Sequence, residues 1–273
     1  LRKRTRRQGA ISAHKMGGIV KLTGFIVKMM LIFELAGAVL MYPEFAKQFG
    51  IIKGIWYSLF HSISAFCNAG FDLMGVREHY SSLTTFSSSV LINVVIMLLI
   101  IIGGIGFVTW DDIKKHKLHF GRYRMQSKVI LGVTSILIIV PVLHFYFFEF
   151  GKSTWTFASE KDRVLASLFQ AVSPRTAGFN TVDLNQLSGV GQLITIILML
   201  IGAAPGSTAG GMKVTTVAVL LSTAVAVFRK RQDAHLFKRR LSNEVARSAS
   251  ATLLMYTFLF MFGGIVISIA DNI

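Results

Sequence analysis

The sequence predicts an all-α polytopic membrane protein made of helix–re-entrant loop–helix repeats, with one inner helix broken inside the bilayer. Three observations carry this. The 273 residues are 53% hydrophobic and 15% charged, with a mean hydropathy of +0.59, whereas soluble domains carry about 25% charged residues. Apolar runs such as Val90–Ile102, Val129–Val142 and Leu253–Ala270 approach the length of a crossing, about 20 residues. Ser58–Asp72, SLFHSISAFCNAGFD, is written a second time at Ser167–Asn180, SLFQAVSPRTAGFN, and internal repeats outrank other signals. Each copy is an apolar run too short to cross, leading into a Gly-centred loop that ends in Phe. Longer runs flank both, which is the layout of a re-entrant loop between two spans. The period-two pattern of an outer-membrane barrel is absent from the sequence.

Charge sets the orientation. The formal net charge is +16, and 21 of the 29 Lys and Arg fall in three clusters, Arg2–Lys28, Lys114–Lys128 and Arg229–Arg247. Of the 13 acids, those outside these clusters include Glu44, Asp72, Glu78, Glu149, Glu160, Asp162, Asp183 and Asp271. A soluble protein so basic would suggest nucleic acid, but this segregation is the positive-inside pattern. It places the basic clusters in the cytoplasm of a multi-pass plasma-membrane protein, opens both Ala-Gly-Phe loops from the outer face, and predicts a lipid partner and no nucleic acid. The single cysteine, Cys67, excludes a disulfide framework or zinc cluster.

Taken in order, residues 1–18 form a basic segment, read as an amphipathic membrane-surface helix. Ile19–Met41 is the first span, stopped at Pro43, with Glu34 inside it, where an ionisable residue is a functional candidate or else paired with Lys28 or protonated. Gly54–Phe66 is the first short helix and Cys67–Asp72 its loop. Ser87–Thr109 returns to the cytoplasm, with Gly103, Gly104 and Gly106 allowing close helix packing. Val129–Phe148 climbs out again and is expected to kink at Pro141. Ser159 with Asp162 reads as a capping box, and Pro174 ends the second short helix. That helix of about 13 residues measures about 20 Å, too short for a hydrocarbon core of about 30 Å. Val190–Phe228 would form a helix of about 58 Å, but its middle, Gly202–Thr216, GAAPGSTAGGMKVTT, is rich in Gly, Ser and Thr and contains Pro205. Irregular backbone at that depth is tolerated only against protein or a wet cavity. Ala249–Ala270 is the last span.

A cation leaving water needs its hydration shell replaced by oxygens, and the backbone carbonyls of a narrow loop supply them. Glycine allows the dihedrals that aim such carbonyls, and an aromatic residue, Phe71 or Phe179, is expected to anchor each loop. The C-terminal ends of the two short helices add partial negative charge. Lys213 is a lone ammonium in the broken segment, where charge is costly. Below the loops it would hinder cations until the segment moves; alternatively it snorkels or pairs with an acid such as Glu34. Gly206–Lys213 nearly spells a phosphate-binding loop, but Met212 separates Gly from Lys and Val214 replaces the required Ser or Thr. Ser207 has no base and orienting group around it, which argues against a hydrolase. His61, His144 and Asn93 read as packing hydrogen bonders, since no metal-ligand spacing accompanies them.

Asn68-Ala69-Gly70-Phe71 and Thr176-Ala177-Gly178-Phe179 resemble the filter loops of the Trk/Ktr/HKT superfamily of potassium uptake proteins. Gly202–Thr216 resembles that family's intramembrane gating loop, and its Ala-Pro-Gly-Ser-Thr and Met-Lys-Val-Thr-Thr runs are nearest the Ktr-type membrane subunit. The resemblance covers essentially the whole chain. It implies helix–pore-loop–helix repeats of the K+-channel type and no enzymatic activity. It further implies a filter at Cys67, Asn68, Ala69, Gly70, Phe71, Arg175, Thr176, Ala177, Gly178 and Phe179, with K+ held by the backbone oxygens of Asn68, Ala69, Thr176 and Ala177. The gate would comprise Gly202, Pro205, Gly206, Ser207, Thr208, Gly210, Gly211 and Lys213. No covalent cofactor is implied; K+ is the transported ion and Na+ a candidate coupling ion, and the implied partners are a second copy of the chain and a cytosolic nucleotide-binding ring.

Two of the family's four pore loops are present. The resemblance therefore implies a fragment: one repeat over 19–128, a second over 129–247, and the outer helix of a truncated repeat over 248–273. The rival expectation is a complete two-loop subunit whose dimer supplies four loops. A secondary cation transporter with broken-helix ion sites is the alternative function; the two copies run in the same orientation, 109 positions apart at their opening serines, which favours a pore.

Overall fold

The computed structural model describes residues 2–76, 81–117, 119–231, 233–237 and 239–270, with side chains from residue 20 onward. Glu78 and Asp271, named above among the acids outside the basic clusters, lie outside the described residues, as do the side chains of the basic segment 1–18. Two compact units divide the chain, Leu1–Ile63 and Ser64–Ile273.

The first unit is built on α1, Arg2–Phe49, and the start of α2, Ile51–Phe66. Pro43 lies inside α1 rather than ending it. A proline removes one rung of the helix ladder, but beyond it Phe45 is fully buried, stacked 5.0 Å from His61, and Phe49 stacks 4.4 Å from Tyr57. That aromatic packing carries the helix on to Gly50, whose φ of +82° makes the turn. A Cβ on Gly54 would lie 2.7 Å from Ala46 Cα, so glycine there lets α2 cross α1 closely. His61, read as a packing hydrogen bonder, bonds through Nδ1 to the Tyr57 carbonyl at 2.7 Å.

In the second unit, Ser89 caps α3, Val90–Gly104, and buried Asn93 donates to the carbonyls of Phe86, Ser87 and Ser89. The expected span to Thr109 is not straight. At Ile105–Gly106 the chain bends by 97° into α4, Phe107–His116. Gly106 takes φ +86°, and a Cβ there would lie 2.9 Å from the Pro205 carbonyl oxygen; the bend exists where the 201–213 segment approaches. Trp110 Nε1 donates to the Ile102 carbonyl across it, at 2.9 Å. Buried Asp112 then ties α4 to the start of α5, Met125–His144, accepting from Arg124 N at 3.0 Å and Ser127 Oγ at 2.6 Å.

Helix α5 runs through Pro141, and its irregularity falls later, as a π turn over Phe145–Glu149. The buried Glu149 carboxylate accepts from Ser188 N at 2.8 Å and from Ser188 Oγ. It thereby sits on the positive N-terminal end of α7, Gly189–Leu200. Helix α6, Glu160–Val172, has 13 residues and the expected cap: Asp162 N donates to Ser159 Oγ at 3.3 Å, and Ser159 Oγ donates to Asp162 Oδ2 at 2.8 Å. After α7 the chain breaks and resumes as α8, Val214–Phe228. These two helices, of 12 and 15 residues, measure about 18 and 22 Å, so neither crosses alone. A two-residue hairpin, β1 His235–Leu236 and β2 Arg239–Arg240, occupies the last basic link, and α9, Asn243–Ala270, follows. Among the described residues three helices are long and apolar enough to cross a membrane, and a fourth if α3 and α4 count together.

Candidate functional site

The two Ala-Gly-Phe loops meet. A Cβ built on Gly70 would lie 2.1 Å from the Ala177 carbonyl oxygen and 2.9 Å from Gly178 Cα, and one built on Gly178 would lie 3.5 Å from Gly70 Cα. The backbone repeats as the sequence does: Asn68 and Thr176 take φ +53° and +76°, and Gly70 and Gly178 take +71° and +87°. Positive φ at alternate positions turns successive peptide planes in a way side chains resist. Gly70 is thus required twice, by its dihedral and by the neighbouring carbonyl.

Both loops hang from helix C-termini. Asn68 N and Ala69 N donate to the carbonyls of Ala65 and Ser64 at the end of α2, and Ala177 N donates to Ser173 just past α6. Each loop is closed by the same clamp. Ser64 Oγ donates to the Phe71 carbonyl at 2.7 Å, and Ser173 Oγ donates to the Phe179 carbonyl. Sequence reasoning gave these serines no role, although the repeated Ser was the signal that could have found them. Phe179 is 3% exposed and anchors its loop as expected, but the Phe71 ring is 70% exposed. Loop one is held instead by the Ser64 clamp and by Asp72 Oδ1, which accepts from Met74 N at 2.8 Å.

The break between α7 and α8 is a closed loop. Gly202 N donates to the Met212 carbonyl at 3.0 Å and Met212 N to Leu200 at 3.2 Å. A Cβ on Gly202 would lie 2.0 Å from the Gly210 carbonyl oxygen, and one on Gly211 would lie 2.9 Å from Gly202 Cα and 3.3 Å from Thr176 Cγ2. Thr208 Oγ1 donates to the Phe66 carbonyl at 2.8 Å and accepts from Asn68 Nδ2 at 3.0 Å. Pro205 and Gly206 lie against the α3–α4 bend, where Phe107 N donates to the Gly206 carbonyl at 2.8 Å. Gly103 and Gly104 accept from Thr208 N and Ala204 N, so the glycines read as helix-packing residues are the seat of this loop. Ser207 Oγ donates within the loop to Ala204, at 2.6 Å. The Lys213 ammonium donates to the Ala209 carbonyl at 2.8 Å, a backbone partner in its own loop. Arg175, beside the second Ala-Gly-Phe, is buried and donates through Nη2 to the Gly202 carbonyl at 3.3 Å. Tyr256 of α9 donates to the Gly211 carbonyl at 3.3 Å, a contact the sequence did not signal. Cys67 is half-buried on loop one.

This arrangement, two apposed loops over a folded break, can be compared with known proteins. A family profile described as TrkH, cation transport protein, matches residues 2–272. The chain belongs to the TrkH family of cation transport proteins. It is a family of transporters rather than enzymes. Among relatives, the chain is 35% identical over 264 residues to the potassium/sodium uptake protein NtpJ of Enterococcus hirae, covering 97% of this chain and 57% of that protein. It is 32% identical over 273 residues to the Ktr system potassium uptake protein B of Bacillus subtilis, covering 100% of this chain and 60% of that one. The chain thus spans a little over half the length of these curated relatives. The crystal structure of the potassium transporter TrkH from Vibrio parahaemolyticus superposes with a TM-score of 0.72 at 20% identity, over 89% of this chain and 50% of that one. That likeness shows the TrkH-family fold, a multi-pass helical membrane protein.

Proposed function

We propose that this chain forms part of the membrane subunit of a potassium uptake system, passing K+ inward between the 67–71 and 175–179 loops and past the 202–213 segment. The observation that carries the reading is the apposition of Gly70 and Gly178, both at positive φ, at the ends of helices too short to cross. In this reading the carbonyls of Asn68, Ala69, Thr176 and Ala177 replace water around the ion, and the C-terminal ends of α2 and α6 favour its charge. The names of the two relatives, a potassium/sodium uptake protein and a potassium uptake protein, support the same cargo and keep Na+ as a coupling ion. The repeats 19–128 and 129–247, the basic clusters on the cytoplasmic side of the plasma membrane, a homodimer and a cytosolic nucleotide-binding ring belong to this proposal.

The test is K+ uptake by the intact protein in cells that lack their own K+ transport. Gly178→Ser is expected to lower the K+/Na+ flux ratio, and an unchanged ratio refutes the filter assignment. Lys213→Ala removes a charge and a brace from the loop and is expected to raise resting K+ leak; unaltered leak ends its role in the gate.

A further inference from the structure

The intramembrane loop does more than lie under the filter loops: each filter loop hydrogen-bonds to it through one side chain. On loop one, Asn68 holds a left-handed backbone conformation unusual for a residue with a side chain, and its amide donates to Thr208 Oγ1 at 3.0 Å. The same hydroxyl donates to the carbonyl of Phe66, the last residue of α2, at 2.8 Å. A Cβ on Gly103 would fall 2.1 Å from that carbonyl oxygen, 2.8 Å from Thr208 Oγ1 and 3.1 Å from Asn68 Nδ2, so the three groups are packed with no slack behind them. On loop two, Arg175 is 6% exposed, donates to the Gly202 carbonyl, and has no hydrogen-bond partner for Nε. Asn68 and Arg175 line one small cavity together with Ala203 of the intramembrane loop and Thr134 of α5.

We propose that these two contacts make filter and intramembrane loop a single coupled unit, in which the position of residues 202–213 sets how selectively loops 67–71 and 175–179 hold a monovalent cation. This rests on the reading that those loops hold the transported ion. Coupling between sites is reciprocal: if the closed loop favours one filter geometry, a cation favouring that geometry stabilises the closed loop. Thr208 and Arg175 are then positioning residues, acting on the ion through Asn68 and Gly202, with no contact to it required. Side chains linking two backbone segments transmit displacement because neither segment can move without breaking a hydrogen bond, a change of about three- to tenfold in an equilibrium.

The experiment uses the intact protein. Hydrogen exchange of residues 202–213 is compared in KCl and in choline chloride; K+ is expected to slow exchange by about three- to tenfold, and equal exchange in the two salts overturns the proposal. In proteoliposomes, Thr208→Ala is expected to abolish this K+ dependence and to lower the K+/Na+ flux ratio, and Thr208→Ser, which keeps the hydroxyl, to restore both. A Thr208→Ala protein with altered flux but an unaltered ratio also overturns it. Should Thr208→Ala not accumulate, the exchange comparison on the unmodified protein decides alone. Gly178→Ser separates the two levels: if it shifts the ratio while Thr208→Ala does not, only the coupling fails; if it leaves the ratio unmoved, the filter reading beneath it fails.

Discussion

At the scale of single residues, the two loop glycines, Gly70 and Gly178, are not equivalent, though the sequence writes them identically. Both sit at positive φ, where a Cβ costs about 1–2 kcal/mol. At Gly178 an added methyl meets only Gly70 Cα at 3.5 Å, an ordinary contact, whereas at Gly70 it strikes the Ala177 carbonyl at 2.1 Å. Gly70→Ala is therefore expected to be more damaging than Gly178→Ala, in thermal stability and in flux; equal behaviour would show that the loops do not touch as described. The glycines and the Ala-Gly-Phe pattern were legible because a repeated motif needs no knowledge of its surroundings. Phe71 was misjudged as an anchor by analogy with Phe179, since a sequence shows that two rings are present but not that only one has a pocket. Arg175 braces a carbonyl 27 positions away, at Gly202, a pairing that only the folding of the broken helix creates.

At the scale of elements, local rules worked where the deciding contacts are local. The Ser159 cap, the 13-residue length of α6 and the break inside Val190–Phe228 all follow from nearby residue types. They failed where packing overrides propensity. Pro43 did not end α1, because Phe45 and Phe49 bury beyond it against Tyr57 and His61. The 97° bend at Gly106 was hidden because its cause, the arrival of Pro205 and Gly206, lies about a hundred positions downstream. The serine clamps belong to this scale too, since each joins a helix end to the far side of its loop. Ser173 is buried and its removal leaves the Phe179 carbonyl without that donor. Ser173→Ala is expected to cost about 1–3 kcal/mol of stability, read as a lowered unfolding temperature of the purified protein, while Ser173→Thr, which keeps the hydroxyl, recovers part of it. No change in unfolding temperature would remove the clamp from the account.

At the scale of the molecule, hydropathy and charge placement made the membrane class legible, the motifs Asn68–Phe71, Thr176–Phe179 and Gly202–Thr216 carried the family resemblance, and the family match over residues 2–272 agrees with it. What composition does not carry is convergence. Loops more than a hundred positions apart, a glycine-lined helix bend and a broken helix all meet around Asn68, Gly70, Ala177, Gly202 and Thr208. The central claim is that main-chain oxygens of the two apposed loops take the place of water around K+. Anomalous diffraction from crystals of the intact protein grown in Rb+, a heavier substitute for K+, tests it most directly. The account predicts an ion peak at coordination distance from the carbonyls of Asn68, Ala69, Thr176 and Ala177; ordered Rb+ found only elsewhere, in a preparation that still transports it, would contradict it.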